Sequence, residues 1–343
     1  MLRRMPTDFR LWISPPRKLI SYYVMNGSST NNVLFHSPVL YQEIIHALRP
    51  KKGGSYVDCT LGAGGHAWGI LQMSSPDGRL LGLDVDPKAL EIAQHRLMPF
   101  GGRVVIKKTS YVALKQQLDE LGWSKVDGVL LDLGISSMQL DIPARGFSFQ
   151  ADAPLDMRFD PHSPVRAYDL INELPERELA DLIYKFGEER KARKIAKAIV
   201  EARPLSTTLQ LADVVSRTVG KGGRDRRNYR RHPATLTFQA LRIAVNRELE
   251  ALEQVLPQAL DVLVAGGRLA VLSFHSLEDR IVKRYFRHES QDCICPPELV
   301  VCNCEHNAVI IEINRKPVRP CQDEVAQNPR ARSARLRVVE KIV

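Results

Sequence analysis

The feature that most limits what this chain can fold into is a short apolar run closing in a glycine-rich turn, Ser55-Tyr56-Val57-Asp58-Cys59-Thr60-Leu61-Gly62-Ala63-Gly64-Gly65-His66. A second run, Leu80-Leu81-Gly82-Leu83-Asp84, follows about 20 residues later and ends in an acid. This is how a doubly wound sheet holds a nucleoside: the glycines let the backbone turn sharply and come close to a ligand, and the acid accepts ribose hydroxyls. Which nucleoside is bound stays open at this point. Gly62-Ala63-Gly64-Gly65-His66-Ala67 also satisfies the dinucleotide pattern G-x-G-x-x-A, so a nicotinamide enzyme fits this loop as well.

A third run, Val129-Leu130-Leu131-Asp132-Leu133-Gly134-Ile135-Ser136-Ser137, narrows the choice. Asp132 ends a continuous apolar strand, and the residues after it supply carbonyls and hydroxyls at the carboxyl edge, where open α/β sheets place their chemistry. Acceptors there suit a substrate amine; hydride transfer has no use for them. Ser136 and Ser137 are the weaker candidates, since serines after a strand also form turns.

Longer motifs follow in order: Asp132-Leu133-Gly134-Ile135-Ser136-Ser137-Met138-Gln139-Leu140-Asp141, Arg145-Gly146-Phe147-Ser148-Phe149, Pro154-Leu155-Asp156-Met157-Arg158, Tyr184-Lys185-Phe186-Gly187-Glu188-Glu189-Arg190 and Ser273-Phe274-His275-Ser276-Leu277-Glu278-Asp279-Arg280. With them, residues 33–343 resemble the bacterial 16S ribosomal RNA cytosine-N4 methyltransferase family. The resemblance implies a class I S-adenosylmethionine-dependent methyltransferase: a Rossmann-like, doubly wound, mostly parallel sheet carrying an inserted helical domain. It implies N4-methylation of a cytidine in the decoding region of the small-subunit RNA, and cofactor contacts from Gly64, Gly65, His66, Asp84, Tyr111, Asp132 and Gln139. Tyr111 stands where the family often has phenylalanine, and either ring can stack on adenine. Leu236 stands where members usually carry arginine, a departure that bears on one possible phosphate contact and not on the fold.

Length and composition agree with two domains and a buried core: 343 residues, 44% hydrophobic and 26% charged. No apolar run approaches the ~18 residues that span a bilayer, so the protein is expected in the cytoplasm with no membrane partner. The net charge of +10 is clustered. Lys221, Arg224, Arg226, Arg227, Arg230 and Arg231 surround the single Asp225, and Arg330, Arg332, Arg335, Arg337 and Lys341 face only Glu340. Such clusters suit an RNA phosphate backbone; beside the motifs above, Arg224, Arg226, Arg227, Arg230 and Arg231 become the RNA-binding candidates. The expected partner is 16S ribosomal RNA within the small ribosomal subunit, and a homodimer is left open.

Of six cysteines, Cys59 lies in the first strand and Cys321 stands alone. The others form Cys293-Ile294-Cys295 and Cys302-Asn303-Cys304, near His306. Zinc pairs are usually spaced C-x₂₋₄-C, and a one-residue spacer strains chelation. No metal is therefore expected, and the segment reads as a reduced loop in which Cys293, Cys295, Cys302 and Cys304 are weak candidate ligands.

Strands are predicted near 55–59, 80–84, 104–106, 128–132, 269–274, 309–313 and 336–342, the last antiparallel, with helices at Pro87–Leu97 and Ala113–Leu121 between the early ones. The stretch between the fourth and fifth strands far exceeds the ~30 residues of a simple crossover. It carries helical stripes, Leu179, Leu182, Ile183 and Phe186, then Ala192, Ile195, Ala196 and Ile199. A long helix, Phe238–Leu256, is predicted to return the chain to the sheet before Pro257. The expected organisation is a disordered basic extension at 1–32, a first methyltransferase segment at 33–135, a helical substrate-recognition insert at 136–235, and a second methyltransferase segment at 236–343. The extension, with five basic residues, one acid and Pro15-Pro16, is compatible with a transit peptide or with a start at Met25, and receives no function.

Asp132 is the leading candidate, either for the cofactor's adenine amine, as the resemblance implies, or for the cytosine N4 amine. Asp58 is read as a loop-bonding residue, and His66 as acting through its main-chain N–H at a helix start. For His275-Ser276-Leu277-Glu278-Asp279-Arg280, a helix opening with an Arg280–Asp279 pair competes with substrate contact. Direct methyl transfer needs no covalent nucleophile, and no cysteine lies near Asp132. A nicotinamide oxidoreductase and a non-catalytic RNA-binding or assembly factor remain the rivals, and within methyltransferases DNA amine methylation is the nearest competitor.

Overall fold

A computed structural model describes residues 38–220, 232–296, 298–299 and 301–343. The 1–32 extension and Arg224, Arg226, Arg227, Arg230 and Arg231 lie outside the described residues, as does the side chain of Ser137.

The chain runs α1 (Tyr41–Leu48), β1 (Ser55–Asp58), α2 (Gly65–Met73), β2 (Arg79–Asp84), α3 (Pro87–Leu97), β3 (Val104–Lys108), α4 (Leu114–Glu120) and β4 (Val126–Asp132). Then come α5 (Ser137–Asp141), α6 (Ala167–Glu173), α7 (Glu176–Gly187), α8 (Ala192–Glu201), α9 (Thr208–Val219), α10 (Thr235–Asn246) and α11 (Glu248–Asp261). The chain closes with β5 (Leu263–Ser273), α12 (Ser276–Glu289), β6 (Ile310–Glu312), α13 (Gln322–Gln327) and β7 (Arg335–Lys341). The strands form one seven-stranded sheet in the order β3-β2-β1-β4-β5-β7-β6. β1 to β5 are parallel, and β7 runs antiparallel between β5 and β6.

Side chains of a strand alternate between faces, and a sheet covered on both faces is apolar throughout. Val57, Leu81, Leu83, Val129, Leu131, Leu269 and Val271 point to the face covered by α4, α11 and α12. Tyr56, Leu80, Leu130, Ala270 and Leu272 point to the face covered by α1, α2 and α3. β1 and β4 are neighbours although the chain first winds outward through β2 and β3, so the strand order reverses between them. A crevice at their carboxyl ends is the expected ligand position in such sheets.

Between β4 and β5 a third apolar cluster joins Phe147, Leu155, Ile171, Leu179, Ile183, Ile195, Ile199, Leu211 and Val215, all buried. Phe238, Leu241 and Val245 of α10 belong to it too, so the helical packing extends past the boundary expected at 235. The predicted single helix Phe238–Leu256 is two helices. Arg247 takes a left-handed conformation (φ 50°) between α10 and α11. Asn246 fixes the break: its Nδ2 donates to the carbonyls of Met157 and Arg242, and its Oδ1 accepts from the Phe159 N–H. Across the break Arg242 forks onto Glu248 at 2.8 and 3.0 Å. Pro257 does not stop α11, because burial of Leu252, Val255, Leu256, Ala259 and Leu260 holds the helix despite one missing backbone bond. Among the described residues no helix is long and apolar enough to cross a membrane.

α7 and α10 meet at Gly187, where a Cβ would lie 2.7 Å from the Leu236 carbonyl oxygen. Gly187→Ala is expected to cost about 1–3 kcal/mol by urea denaturation, because backbone has to move. At Gly102 a Cβ meets nothing within 4 Å, and the same substitution there is expected to leave the urea midpoint nearly unchanged.

Candidate active site

The glycine loop is built by backbone geometry. Gly62 (φ 50°) and Gly64 (φ 75°) are left-handed, a conformation that favours glycine. At Gly65 a Cβ would sit 2.4 Å from Cγ of Pro38. α2 starts at Gly65 with no side-chain cap, which leaves a positive helix end facing the crevice.

Asp84 ends β2 and ties the loop to it. Its Oδ2 accepts from the Gly62 N–H at 2.8 Å and its Oδ1 from the Asp86 N–H at 2.9 Å. Burial pushes its carboxyl up, against these two backbone N–H groups. Each oxygen keeps a further lone pair for a ligand hydroxyl.

Asp132 ends β4 next to β1. Its N–H donates to the Thr60 hydroxyl at 2.6 Å, and its carboxylate, a quarter exposed, lies 3.4 Å from Nε2 of His66. The His66 ring is buried, stacks on Tyr41 at 6.0 Å, and makes no hydrogen bond through either nitrogen. Beneath them is Asp58, 1% exposed. Burial pushes its carboxyl up to about 7; the His66 ring and the Thr60 N–H pull it down, and Asp132 and Asp84 push it further up. Asp58, His66, Asp84 and Asp132 thus share one electrostatic environment. Sequence reasoning had given Asp58 only loop bonding, which it does through the Thr60 N–H at 3.2 Å.

Gln139 and Ser136 are committed to local structure. Ser136 caps α5 by accepting from the Gln139 N–H, while Gln139 Oε1 accepts from the Ser136 N–H, the reciprocal capping box. Gln139 Nε2 donates to Asp86 Oδ2 at 2.8 Å. The same oxygen accepts from Nη1 of Arg145, whose Nη2 donates to the carbonyls of Arg158 and Phe159. Asp86 was not singled out from the sequence, and Arg145 entered only as the first residue of one motif, with no role of its own. The Asp-Pro pair at 86–87 is a signal for the helix cap that Asp86 also makes with Lys88 N–H, but nothing local marks its distant partners. Tyr111 opens a 3₁₀ turn after β3 and packs against the sheet core. Burial, then the charges of Glu248 and Glu278, raise its hydroxyl pKa.

After β5, the chain turns at His275, which caps α12. Glu278 accepts from the Phe274 and His275 N–H groups at 2.8 and 3.2 Å. Burial pushes the Glu278 carboxyl up, but His275 and Arg242 outweigh it and hold it below the usual carboxylate range. Arg280 does not pair with Asp279. It reaches Glu188 of the helical region at 2.7 Å, whereas Asp279 takes Arg335 and Arg337 from β7 at 2.8 and 2.7 Å. Most of the cluster at 330–341 is accordingly engaged within the fold, and Arg332 is exposed. Besides Arg335 and Arg337, Arg330 pairs with Asp141 and Lys341 donates to the Leu260 carbonyl; two-residue spacing puts Arg335 and Arg337 on the sheet face that meets Asp279.

The strand order, the left-handed glycines, the uncapped start of α2 and the acid at the tip of β2 fit a nucleoside carrying a carboxylate tail. They define a class I S-adenosylmethionine-dependent methyltransferase. The chain belongs to the MraW methylase family, whose model matches residues 33–342. It is 50% identical over 308 residues to the ribosomal RNA small subunit methyltransferase H of Dehalococcoides mccartyi, covering 90% of this chain and 87% of that one. It is 51% identical over 311 residues to the protein of the same name from Syntrophobacter fumaroxidans, with 90% and 97% covered. Among solved structures, a putative rRNA-methylase from Clostridium thermocellum has 14% identity and a TM-score of 0.41, with 88% of this chain and 95% of that one covered.

Two outcomes follow for the site. Arg145→Ala leaves the fully buried Asp86 without its cation and is expected to cost about 3–5 kcal/mol of stability, read by urea unfolding; Arg145→Lys, with no fork, is expected to recover only part of that. Asp58 holds its proton more tightly folded than unfolded, so its contribution is full below about pH 4 and is lost as pH rises through about 7. Asp58→Asn, which keeps the acceptor for Thr60, is expected to gain Tm on the wild type across that window. Parallel Tm curves from pH 4 to pH 8 would refute the assignment.

Proposed function

We propose that this protein methylates N4 of a specific cytidine in the decoding region of small-subunit ribosomal RNA, acting in the cytoplasm. Membership of the MraW methylase family and the names of relatives at about half identity support the substrate class. The observation that carries the reading is Asp132: a partly exposed carboxylate on the strand tip beside the glycine loop, its main chain fixed by Thr60.

S-Adenosylmethionine, bound at the loop, supplies an electrophilic methyl group. Gly64, Gly65 and the main-chain N–H of His66 hold its carboxylate end, Asp84 its ribose, and Tyr111 its adenine. Gln139 acts at one remove, by fixing the position of Asp86. The lone pair of the cytosine N4 is delocalised into the ring. A hydrogen bond from N4–H to Asp132 localises that pair and aims it, so positioning and preset electrostatics supply most of the rate. Ser136, whose hydroxyl is engaged by the Gln139 N–H, contributes at most a backbone acceptor. The nucleotide is splayed out of the RNA against the helical insert, and Arg224, Arg226, Arg227, Arg230 and Arg231 hold flanking phosphates.

The test incubates labelled S-adenosylmethionine with small subunits lacking the modification and identifies the product nucleoside by mass spectrometry. N4-methylcytidine is expected with wild type, and Asp132→Ala is expected to lower the rate by about 10²-fold or more. Label on another base, or none despite cofactor binding, would overturn the assignment. Replacing Arg226, Arg227 and Arg230 with alanine is expected to weaken RNA binding and flatten its salt dependence, each lost phosphate contact reducing the log–log slope by about one.

A further inference from the structure

The segment between α12 and β6 contains four cysteines that the methyl-transfer site does not use. Its root is tied down: the Val309 N–H donates to the Glu289 carbonyl at 3.0 Å, and His306 lies over His288 with Nε2 3.1 Å from the His288 carbonyl oxygen. Among the described residues its tip has no apolar core, with Ile294, Leu299 and Val301 all exposed. A segment of this length without a core needs another device to hold one conformation.

The cysteines supply one. Cys293 and Cys295 come from one arm, Cys302 and Cys304 from the other, and their four Sγ atoms all lie within 4.8 Å of one another. The separations are 3.4 Å for Cys293–Cys302, 3.5 Å for Cys302–Cys304, and 3.9 Å for both Cys295–Cys302 and Cys293–Cys304. Four thiolates holding one zinc ion at about 2.3 Å define a tetrahedron with edges of about 3.8 Å. None of the four is in a disulfide, and the one-residue spacer that argued against chelation is met by the convergence of two arms.

We propose that Cys293, Cys295, Cys302 and Cys304 form a four-thiolate structural zinc site. All-sulfur tetrahedral sites select zinc or iron over harder cations, and four protein ligands leave no open position for substrate or water, so the ion is structural. Its place in the fold agrees. α12 leaves the carboxyl edge after β5, and the next strand, β6, runs parallel to β5 by way of β7. The segment therefore lies at the amino edge, opposite the glycine loop and Asp132. Zinc binding displaces the thiol protons to solvent as the four Zn–S bonds form, with no redox change.

The full-length protein, purified anaerobically with reductant from zinc-replete medium, is expected to contain one zinc per chain by elemental mass spectrometry. Cobalt(II) exchanged into it should give the intense visible bands of a tetrahedral tetrathiolate. The double variant Cys302→Ser, Cys304→Ser is expected to lose the zinc and the cobalt bands and to show faster amide exchange in residues 290–308, while its S-adenosylmethionine Kd changes by less than about twofold, as at a distant independent site. Wild type with neither zinc nor the cobalt spectrum would overturn the proposal without reference to any variant. So would iron in place of zinc, zinc retained by the double variant, or disulfides among these cysteines in the anaerobic protein.

Discussion

Asp86, with no exposed side-chain surface, accepts hydrogen bonds from three parts of the chain. The Lys88 N–H makes it the cap of α3, Gln139 Nε2 brings in α5, and Arg145 brings in the segment leading to the helical region. A buried carboxylate is tolerated only when its charge and lone pairs are matched, so these segments cannot separate without exposing an unmatched charge. Asp86 in turn gives its own N–H to Asp84, whose other oxygen holds Gly62. A chain of short polar contacts thus runs from the nucleoside loop through the tip of β2 to the start of the helical region.

A second set of charges joins the same two parts on the far side of β4. Arg280 meets Glu188, Ser276 donates to Glu188, and Arg242 of α10 forks onto Glu248 while stabilising Glu278. Burial lowers the Arg242 pKa, but Glu248 and Glu278 outweigh it and raise it above the usual value. The Arg242–Glu248 pair is buried, so removing one partner is costly, whereas the exposed Arg280–Glu188 pair contributes little to net stability. Their effect is to fix the orientation of the helices over the carboxyl edge, where Asp132 and His275 end up.

The sheet was legible because its strands are buried on both faces: Tyr56-Val57, Leu80-Leu81 and Val129-Leu130-Leu131 are continuous apolar runs, and each ends in a glycine or an acid. The stripes of α7 and α8 were legible for the same reason, since Leu179, Ile183, Ile195 and Ile199 face one core. What local pattern did not carry was set by distant partners. Nothing near Phe238–Leu256 announces that Asn246 will be gripped by Met157 and Phe159 and break the helix. Likewise the basic residues of β7 looked available for RNA until Asp279, far away in sequence, claimed two of them. Charge counts report how many cations exist; topology decides which remain free.

Unpartnered buried polar atoms bear on where a ligand should sit. An unsatisfied buried polar atom costs about 1–3 kcal/mol, and most folds avoid it. Both nitrogens of His66 are in that state, at the head of α2, with Nε2 3.4 Å from Asp132. The fold around them is otherwise closely matched: Thr60 holds the Asp132 N–H and Asp58 holds the Thr60 N–H. Thr237 Oγ1 and His275 Nε2 are likewise unpartnered, but His66 is the residue left with two such atoms where the loop, the helix start and the tip of β4 converge, which suits a site whose remaining partner is a ligand. The same reasoning separates His66 from Gln139. Gln139 already has partners at both ends of its amide, so its contribution passes through Asp86, whereas His66 has bonding capacity left to offer at the crevice itself.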